Sequence, residues 1–375
     1  MRHTKTIIMY SMYELMGDQV TGGMKRFLEL YRGLLQKEAD VILYSPEKEA
    51  SGFDGKQVIR LNPLKKKKGL PIGLCFAWNN YASVRKIRKN REAKVVVFDV
   101  PTAIGLVPFG IRHMVLFIRQ DLVETRRSLF EGKRAWKWHI RYWSLLLSES
   151  LCFLQAEKIV TQCKKDAYEI KKRHVLLRRI IEDKLCIQIN NVNASWMVPV
   201  SGQRIEDRHG YRIGFVGSVG DTKKGLLQLL KAVDIYRKKY GAITLYVIGD
   251  GSLLEDYKNE YSSEDTIFFG YVSKPMELIV NCDLFVAPSL TDSCPNTVLE
   301  AFYHNIPVIG SNRGGIPELL QNREAVFEPE ENEIAAMLYD YRDPERRAAL
   351  MDRQAKRKKQ LTFDWAGALL DMILN

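Results

Sequence analysis

An α/β fold built on parallel sheets is the prediction for this sequence of 375 residues, and three stretches carry it. Residues 6–9, 24–38 and 41–44 read as strand, helix and strand around a Gly22-Gly23 loop, which is a βαβ unit. Residues 211–216 open a second unit of the same kind, with the loop GSVGDTKKG at 217–225 ahead of a helix at 226–238. Residues 281–320 then run strand, loop, helix, strand, loop, helix. Parallel strands with crossover helices hold ligands outside their carboxyl ends, so the chemistry is expected in those loops.

Bulk composition sets the outer bounds. A chain of this length supports two or three domains, each with its own core. Hydrophobic content of 46% and charged content of 27% are ordinary for a globular chain. The formal net charge of +12 favours anionic partners such as nucleotide phosphates or acidic lipid. Six cysteines without a C-x-x-C pair or clustered histidines argue against zinc and a disulfide framework, and for a reducing compartment. The first residues lack the run and cleavage site of a secretory signal, and no stretch of 18 apolar residues is present to span a membrane.

In chain order, the helix at 24–38 places Phe27, Leu30, Leu34 and Leu35 on one side. Its preceding Gly22-Gly23 is not the G-x-G-x-x-G dinucleotide fingerprint. Residues 45–94 are less regular, and the four lysines at 65–68 read as a solvated loop. Strands follow at 94–98, ending on Asp99, and at 115–118, ending on Arg119, Gln120 and Asp121. The segment 126–147 interleaves Trp136, Trp138 and Trp143 with Lys133, Arg134, Lys137, His139 and Arg141. Such a helix suits an anionic membrane interface, or is an inter-domain helix with its rings in the core; no nucleic-acid recognition motif accompanies it. A strand at 156–161, a helix at 164–173 and a polar linker at about 194–210 close the first half. In the second half, a strand at 245–249 and a strand with its loop at 267–272 precede 281–320, and helices at 344–359 and 366–374 end the chain.

The stretch 281–320 carries the most chemistry. Its strand 284–287 stops at Pro288, and a polar loop leads to Pro295, read as the first helical residue. Asp292 lies in that loop, and Glu300 follows eight residues later on the helix. Backbone N–H groups at the helix start, near Asn296, Thr297 and Val298, form a ready anion site. Flanking carboxylates accept hydrogen bonds from hydroxyls, so the pattern fits an anion with hydroxyls beside it, as in a sugar nucleotide. The residues equally fit a surface acid in a loop and a solvent-facing acid in a first turn.

The same stretch, LTDSCPNTVLEAFYHNIPVIGSNRGGIPELL, resembles the signature of the retaining glycosyltransferases of family 4. Their pattern stands here as Asp292, Glu300-Ala301, Asn305-Ile306-Pro307-Val308 and Gly314-Gly315-Ile316-Pro317-Glu318. Two departures are visible: Asp292 replaces the usual Glu, and Asn305 the usual Gly at a turn that Asn tolerates. The resemblance implies GT-B architecture: two facing Rossmann-like domains, at 1–194 and 195–360, with residues 361–375 returning to the first. It implies transfer of a sugar from a UDP- or GDP-sugar to a hydroxyl of a glycan or lipid-linked acceptor in surface polysaccharide biosynthesis. Asp292 would contact the sugar and Glu300 the ribose. The donor would also meet Gly22, Gly23, Gly217, Ser218, Lys224, Tyr271, Val272, Ser293, Cys294, Pro295, Asn296, Thr297 and Val298. Ser218 stands where the family carries an Arg, while Lys224-Gly225 fits the second half of its phosphate loop with one extra residue. Arg119, Gln120 and Asp121 occupy the acceptor-side place where many members carry a His.

No cofactor or metal is expected, since the nucleotide sugar is a substrate and no D-x-D cluster is present. Expected partners are the nucleotide diphosphate sugar, the glycan or lipid-linked acceptor and an anionic membrane surface, but not nucleic acid. The expected place is the cytoplasm, at the inner face of the membrane. The rival readings are a nucleotide-sugar epimerase of GT-B-like fold and a non-catalytic binding subunit.

Overall fold

The computed structural model of the chain describes residues 5–15, 21–47, 58–67, 69–123, 135–200, 210–220 and 222–375. It forms two compact units: Met1–Arg119, Arg134–Ile189 and Asp364–Asn375 in one, Gln120–Lys133 and Asn190–Phe363 in the other.

The first unit begins with β1 (Ile7–Tyr10), α1 (Gly22–Gln36), β2 (Val41–Ser45) and β3 (Val58–Arg60). Helices α2 (Ile72–Asn79) and α3 (Tyr81–Lys89) lead to β4 (Lys94–Val97), the short α4 (Val100–Ala103) and β5 (Met114–Ile118). Then come α5 (Ala135–Gln155), β6 (Ala156–Thr161), α6 (Lys164–Arg173), α7 (Arg178–Lys184) and β7 (Leu185–Ile187). The strands form one parallel sheet of order β3-β2-β1-β4-β5-β6-β7. Strand order reverses between β1 and β4. All four residues of β1 are buried, which marks a strand covered on both faces.

Three sequence readings change here. Helix α1 starts at Gly22 rather than Met24, because the Thr21 side chain accepts from the Met24 amide and caps it. The irregular stretch 45–94 contains β3, α2 and α3. β3 has only three residues, and α2 (IGLCFAWN) is apolar on most sides, so neither offers a period to read. Helix α5 runs from 135 to 155. Of the segment 126–147, residues 126–134 and the side chains of Trp136 and Trp138 lie outside the described part.

A buried polar group fastens α5 to α6. Glu149 of α5 accepts from Arg173 Nε (2.9 Å) and Nη2 (3.0 Å), and pairs with His174 Nε2 at 3.0 Å. Burial alone would push the Glu149 carboxyl up; Arg173 and His174 outweigh it and hold the carboxyl below its ordinary range.

The second unit comprises β8 (Arg212–Val216), α8 (Leu226–Tyr240), β9 (Thr244–Ile248), α9 (Leu254–Tyr261), β10 (Thr266–Gly270) and α10 (Met276–Ile279). It continues with β11 (Leu284–Ala287), α11 (Asn296–Tyr303), β12 (Val308–Ser311), α12 (Ile316–Leu320), β13 (Val326–Phe327), α13 (Glu331–Asp340) and α14 (Pro344–Leu361). Its parallel sheet has the order β10-β9-β8-β11-β12-β13. Here the reversal falls between β8 and β11.

The long segment of this unit starts at Asn190, and the sequence reading opens the second domain at 195. Val192 donates to the Leu361 carbonyl (2.9 Å) and Asn193 Oδ1 accepts from the Phe363 amide (3.2 Å), which ties 190–194 to the end of α14. The last helix, α15 (Trp365–Leu374), packs on α1 of the first unit, with the Arg26 guanidinium 5.4 Å from the Trp365 ring.

Candidate functional site

In an open parallel sheet a ligand sits where strand order reverses, outside the carboxyl ends. In the second unit those ends are the loop after β8 (217–225) and the loop after β11 (288–295), with the loop after β12 (312–315) alongside. The three loops are joined by hydrogen bonds. Leu290 donates to the Lys223 carbonyl (2.7 Å), Ser311 Oγ to the Ser289 carbonyl (2.5 Å), and Gly315 to the Asp292 carbonyl (2.8 Å). Gly314 sits at φ 58°, and a Cβ there would fall 2.1 Å from the Asp292 carbonyl oxygen. Only glycine lets these two loops meet so closely.

Across this framework Lys224 Nζ donates to Asp292 Oδ2 at 2.5 Å, a charge-assisted contact between residues 68 apart. The two side chains are 32% and 16% exposed, so the pair stands at the rim. Ser218 is exposed, and its Oγ accepts from the Gly220 amide (3.3 Å) to close a local turn. Gly217, beside it, donates to the Ile248 carbonyl at 3.0 Å, which holds the loop start against β9.

Helix α11 opens onto the same place. Pro295 is its N-cap, in extended conformation, and not its first residue; it has no side chain that caps the helix. The amides of Val298 and Leu299 reach the Pro295 carbonyl at 3.2 and 3.4 Å. Asn296 and Thr297 are half-buried at the mouth of the helix. Beneath them Ser293, Cys294, Pro295 and Val298 are buried, so those four shape the loop and helix from below. Glu300, one turn inside, accepts from the Trp196 indole N–H at 3.1 Å. Trp196 falls in the stretch that the sequence marks as a polar linker, and a lone tryptophan in such a stretch is the signal that could have found it. β10 ends at Gly270, so that Tyr271, 63% exposed, and Val272, half-buried, lie in the loop that follows it. Asn305, where the pattern has Gly, adopts φ 57°, and Lys358 Nζ donates to its Oδ1 at 3.0 Å.

In the first unit, the reversal between β1 and β4 is flanked by Arg119 at the end of β5. Arg119 Nε donates to the Phe98 carbonyl (2.9 Å), and its guanidinium covers Gly23 so closely that a Cβ would fall 0.9 Å from Nη1. Gly22, exposed, starts the helix beside it. Thus Gly23 and Arg119, assigned by sequence to different sides of the site, are neighbours. Burial lowers the Arg119 pKa and raises that of Asp99, and each charge works against the shift of the other. Gln120 and Asp121 belong to the second unit; Gln120 is half-buried, and Asp121 Oδ1 accepts from the Val123 amide (3.0 Å).

Residues 210–345 match the family described as Glycosyl transferases group 1. Protein CapJ of Staphylococcus aureus is 24% identical over 247 residues, 64% of this chain and 60% of CapJ. The capsular polysaccharide biosynthesis glycosyltransferase CapM of Staphylococcus aureus is 28% identical over 130 residues, 33% of this chain and 34% of CapM. The chain covers less than two thirds of the length of the first curated relatives it matches. Among solved structures, sucrose-phosphate synthase from Thermosynechococcus elongatus superposes with a TM-score of 0.72 at 14% identity, covering 98% of this chain and 97% of that one. Anabaena HepE in complex with UDP and glucose gives 0.69 at 12% identity, covering 99% of each. Residues 210–345 therefore match the Glycosyl transferases group 1 family, and the two parallel Rossmann-like sheets of the chain share the GT-B fold of these solved structures.

Proposed function

We propose that the chain is a retaining glycosyltransferase that moves a sugar from a UDP- or GDP-sugar to a hydroxyl of a glycan or lipid-linked acceptor in surface polysaccharide biosynthesis, at the cytoplasmic face of the membrane. The observation that carries this is the Lys224–Asp292 contact at the mouth of α11, inside the region that matches the family. A cation, a helix N-terminus and two carboxylates on one set of loops suit a diphosphate that carries sugars at both ends. HepE was solved with UDP and glucose, and CapM is named for capsular polysaccharide biosynthesis, which supports the donor and acceptor classes.

In this reading the diphosphate rests on the α11 amides near Asn296 and Thr297. Lys224 leaves Asp292 to meet it as charge develops on the leaving group, the electrostatic contribution that matters most in such a site. Glu300, oriented by Trp196, accepts from the ribose hydroxyls, while Asp292 faces the transferred sugar. Tyr271, exposed after β10, is proposed to cover the base. With Lys224 and the helix amides holding the diphosphate charge, the reaction is proposed to run without a metal ion.

The rival is a non-catalytic binding subunit, favoured by Ser218, whose hydroxyl is engaged in its own turn rather than supplying a cation. Incubating the purified chain with a panel of nucleotide sugars, and measuring released UDP or GDP with and without oligosaccharide acceptors, separates the two. Binding of a nucleotide sugar with no release under any condition would favour the subunit. No binding of any nucleotide would end both readings.

A further inference from the structure

We propose that the outer face of α2 and α3 in the first unit binds an acidic glycan strand, holding sugars remote from the reacting hydroxyl. The choice of a glycan rests on the glycosyltransferase reading; the surface itself belongs to the first unit alone.

Three aromatic rings form one surface. Trp78 lies at the end of α2, Tyr81 opens α3 and Phe109 ends the turn Val107–Phe109. The Trp78 and Tyr81 ring centroids are 6.2 Å apart at 56°, and those of Tyr81 and Phe109 are 5.7 Å apart at 53°. Trp78 is nonetheless 70% exposed and Tyr81 49%. Rings of that size usually contribute to a core, so a contiguous exposed set marks an interaction surface.

The backbone beneath the rings is fixed. Asn80 is buried between the two helices; it accepts from the Asn62 amide (2.7 Å) and donates to the carbonyls of Asn62 (3.1 Å) and Phe76 (3.0 Å). Asn79 Nδ2 donates to the Pro63 carbonyl (3.0 Å), and Asn62 Nδ2 to the Asn79 carbonyl (3.2 Å). These bonds draw the loop after β3 against the rings, on the carboxyl side of the first sheet, where such sheets collect ligands. Among the described residues the Oδ1 atoms of Asn62 and Asn79 accept no hydrogen bond, which leaves two amide oxygens for sugar hydroxyls.

The charge around the rings is of one sign. Residues 55–91 carry eleven lysines and arginines and no acid. On α3, Arg85, Arg88 and Lys89 follow Tyr81 by four, seven and eight residues. At about 100° per residue they share its outer face, while Val84 and Ile87 on the other side are buried. They extend the surface by about 12 Å, the length of an oligosaccharide rather than of one sugar. Lys65, Lys66 and Lys67 are exposed in the loop that Asn62 and Pro63 anchor. Among the described residues none of these six cations is ion-paired.

Unpaired cations in a row match repeated negative charge, and tilted rings match the C–H faces of pyranoses joined at angles. A glycan with acidic sugars has both. A bilayer would need an apolar stripe to bury, and the outer face of α3 beyond Tyr81 is charged. Stacked bases of a single strand would need nearly parallel rings, and these are inclined at 53° and 56°.

The test titrates the full chain with alginate oligosaccharides as the acidic probe and dextran oligosaccharides of equal length as the neutral one, by calorimetry at low and high salt. Alginate should bind on the order of tenfold tighter than dextran and lose that margin in salt. Trp78→Ala should weaken alginate binding on the order of tenfold at an unchanged melting temperature, because the ring is an exposed anchor. Arg85→Ser with Arg88→Ser should weaken it and flatten its salt dependence. Equal binding of the two glycans, or wild-type alginate affinity in Trp78→Ala, overturns the proposal. So does tighter binding of oligothymidylate or of phosphatidylglycerol vesicles through the same residues, since nucleic acid or lipid would then be the occupant. UDP and GDP affinities of the variants should equal those of the wild type. Nucleotide binding without glycan binding removes this surface and leaves the donor reading standing; glycan binding without nucleotide binding supports the surface and removes the donor reading.

Discussion

Replacing Asp292 by Asn should tighten binding of the nucleoside diphosphate while lowering transfer. Lys224 Nζ is 2.5 Å from Asp292 Oδ2, so a diphosphate that binds Lys224 must compete with a carboxylate for it. Hydrogen bonds to charged groups contribute about 1.5–3 kcal/mol net when well shielded, and exposed ion pairs about 0.2–1 kcal/mol. With side chains 32% and 16% exposed this pair falls between, at about 1 kcal/mol, or roughly fivefold in affinity. Asn keeps the shape and the hydrogen-bond acceptor but removes the competing charge. Calorimetric titration with whichever of UDP or GDP the wild type binds should therefore show about fivefold tighter binding. Lys224→Ala should weaken it by a similar factor and flatten its dependence on salt. In the Lys224→Ala background the Asp292→Asn gain should shrink, because the partner exchange no longer occurs. Turnover should fall with Asp292→Asn in spite of tighter nucleotide binding, since the carboxylate is assigned to the sugar. Weaker diphosphate binding by Asp292→Asn, or an equal gain in both backgrounds, would refute the reasoning.

Three other outcomes follow from the geometry. Glu300→Gln should cost about 1–3 kcal/mol of nucleotide affinity, the range for hydrogen bonds to charged groups, and Trp196→Phe should cost less by freeing the carboxylate to reorient; unchanged affinity in both would remove Glu300 from the site. Gly314→Ala should destabilise the chain by at least about 1–2 kcal/mol for the left-handed backbone alone, with more from contact against the Asp292 carbonyl, seen as a lower melting temperature; a neutral change would show that the two loops can part. Glu149→Ala should cost about 3–5 kcal/mol near neutral pH by stranding Arg173 and His174. Because the Glu149 carboxyl is depressed in the folded chain, its contribution is present above the unfolded value of about 4.3 and is lost as pH falls through the lower folded value. The gap in melting temperature between variant and wild type should therefore narrow in acid, and a gap independent of pH would contradict the assignment.

The residues alone determined the α/β class, the two βαβ beginnings and the central strand–loop–helix run. These rest on local causes: β-branched runs for strands, apolar period for helices, Pro and Gly for their ends. β11 and α6 fall at the expected residues for that reason, and Asn305 takes the left-handed turn that Asn tolerates. The motif also places Asp292 and Glu300 eight apart, which a loop and one helical turn set locally.

What needed the tertiary structure is pairing across distance. Nothing near Asp292 in sequence announces Lys224, 68 residues away, because loop convergence follows from strand order and not from either loop. Trp196 reaches Glu300 across 104 residues, and Arg119 lies over Gly23 although each reads locally as a loop residue. Helix α5 is the same case. The sequence drew attention to tryptophans in 126–147, but which face of a helix is buried depends on what packs against it. Here Glu149, Cys152 and Phe153 are buried and Glu149 is held by Arg173 and His174, while Ile140, Trp143 and Leu147 are exposed, a division that no periodicity within α5 encodes.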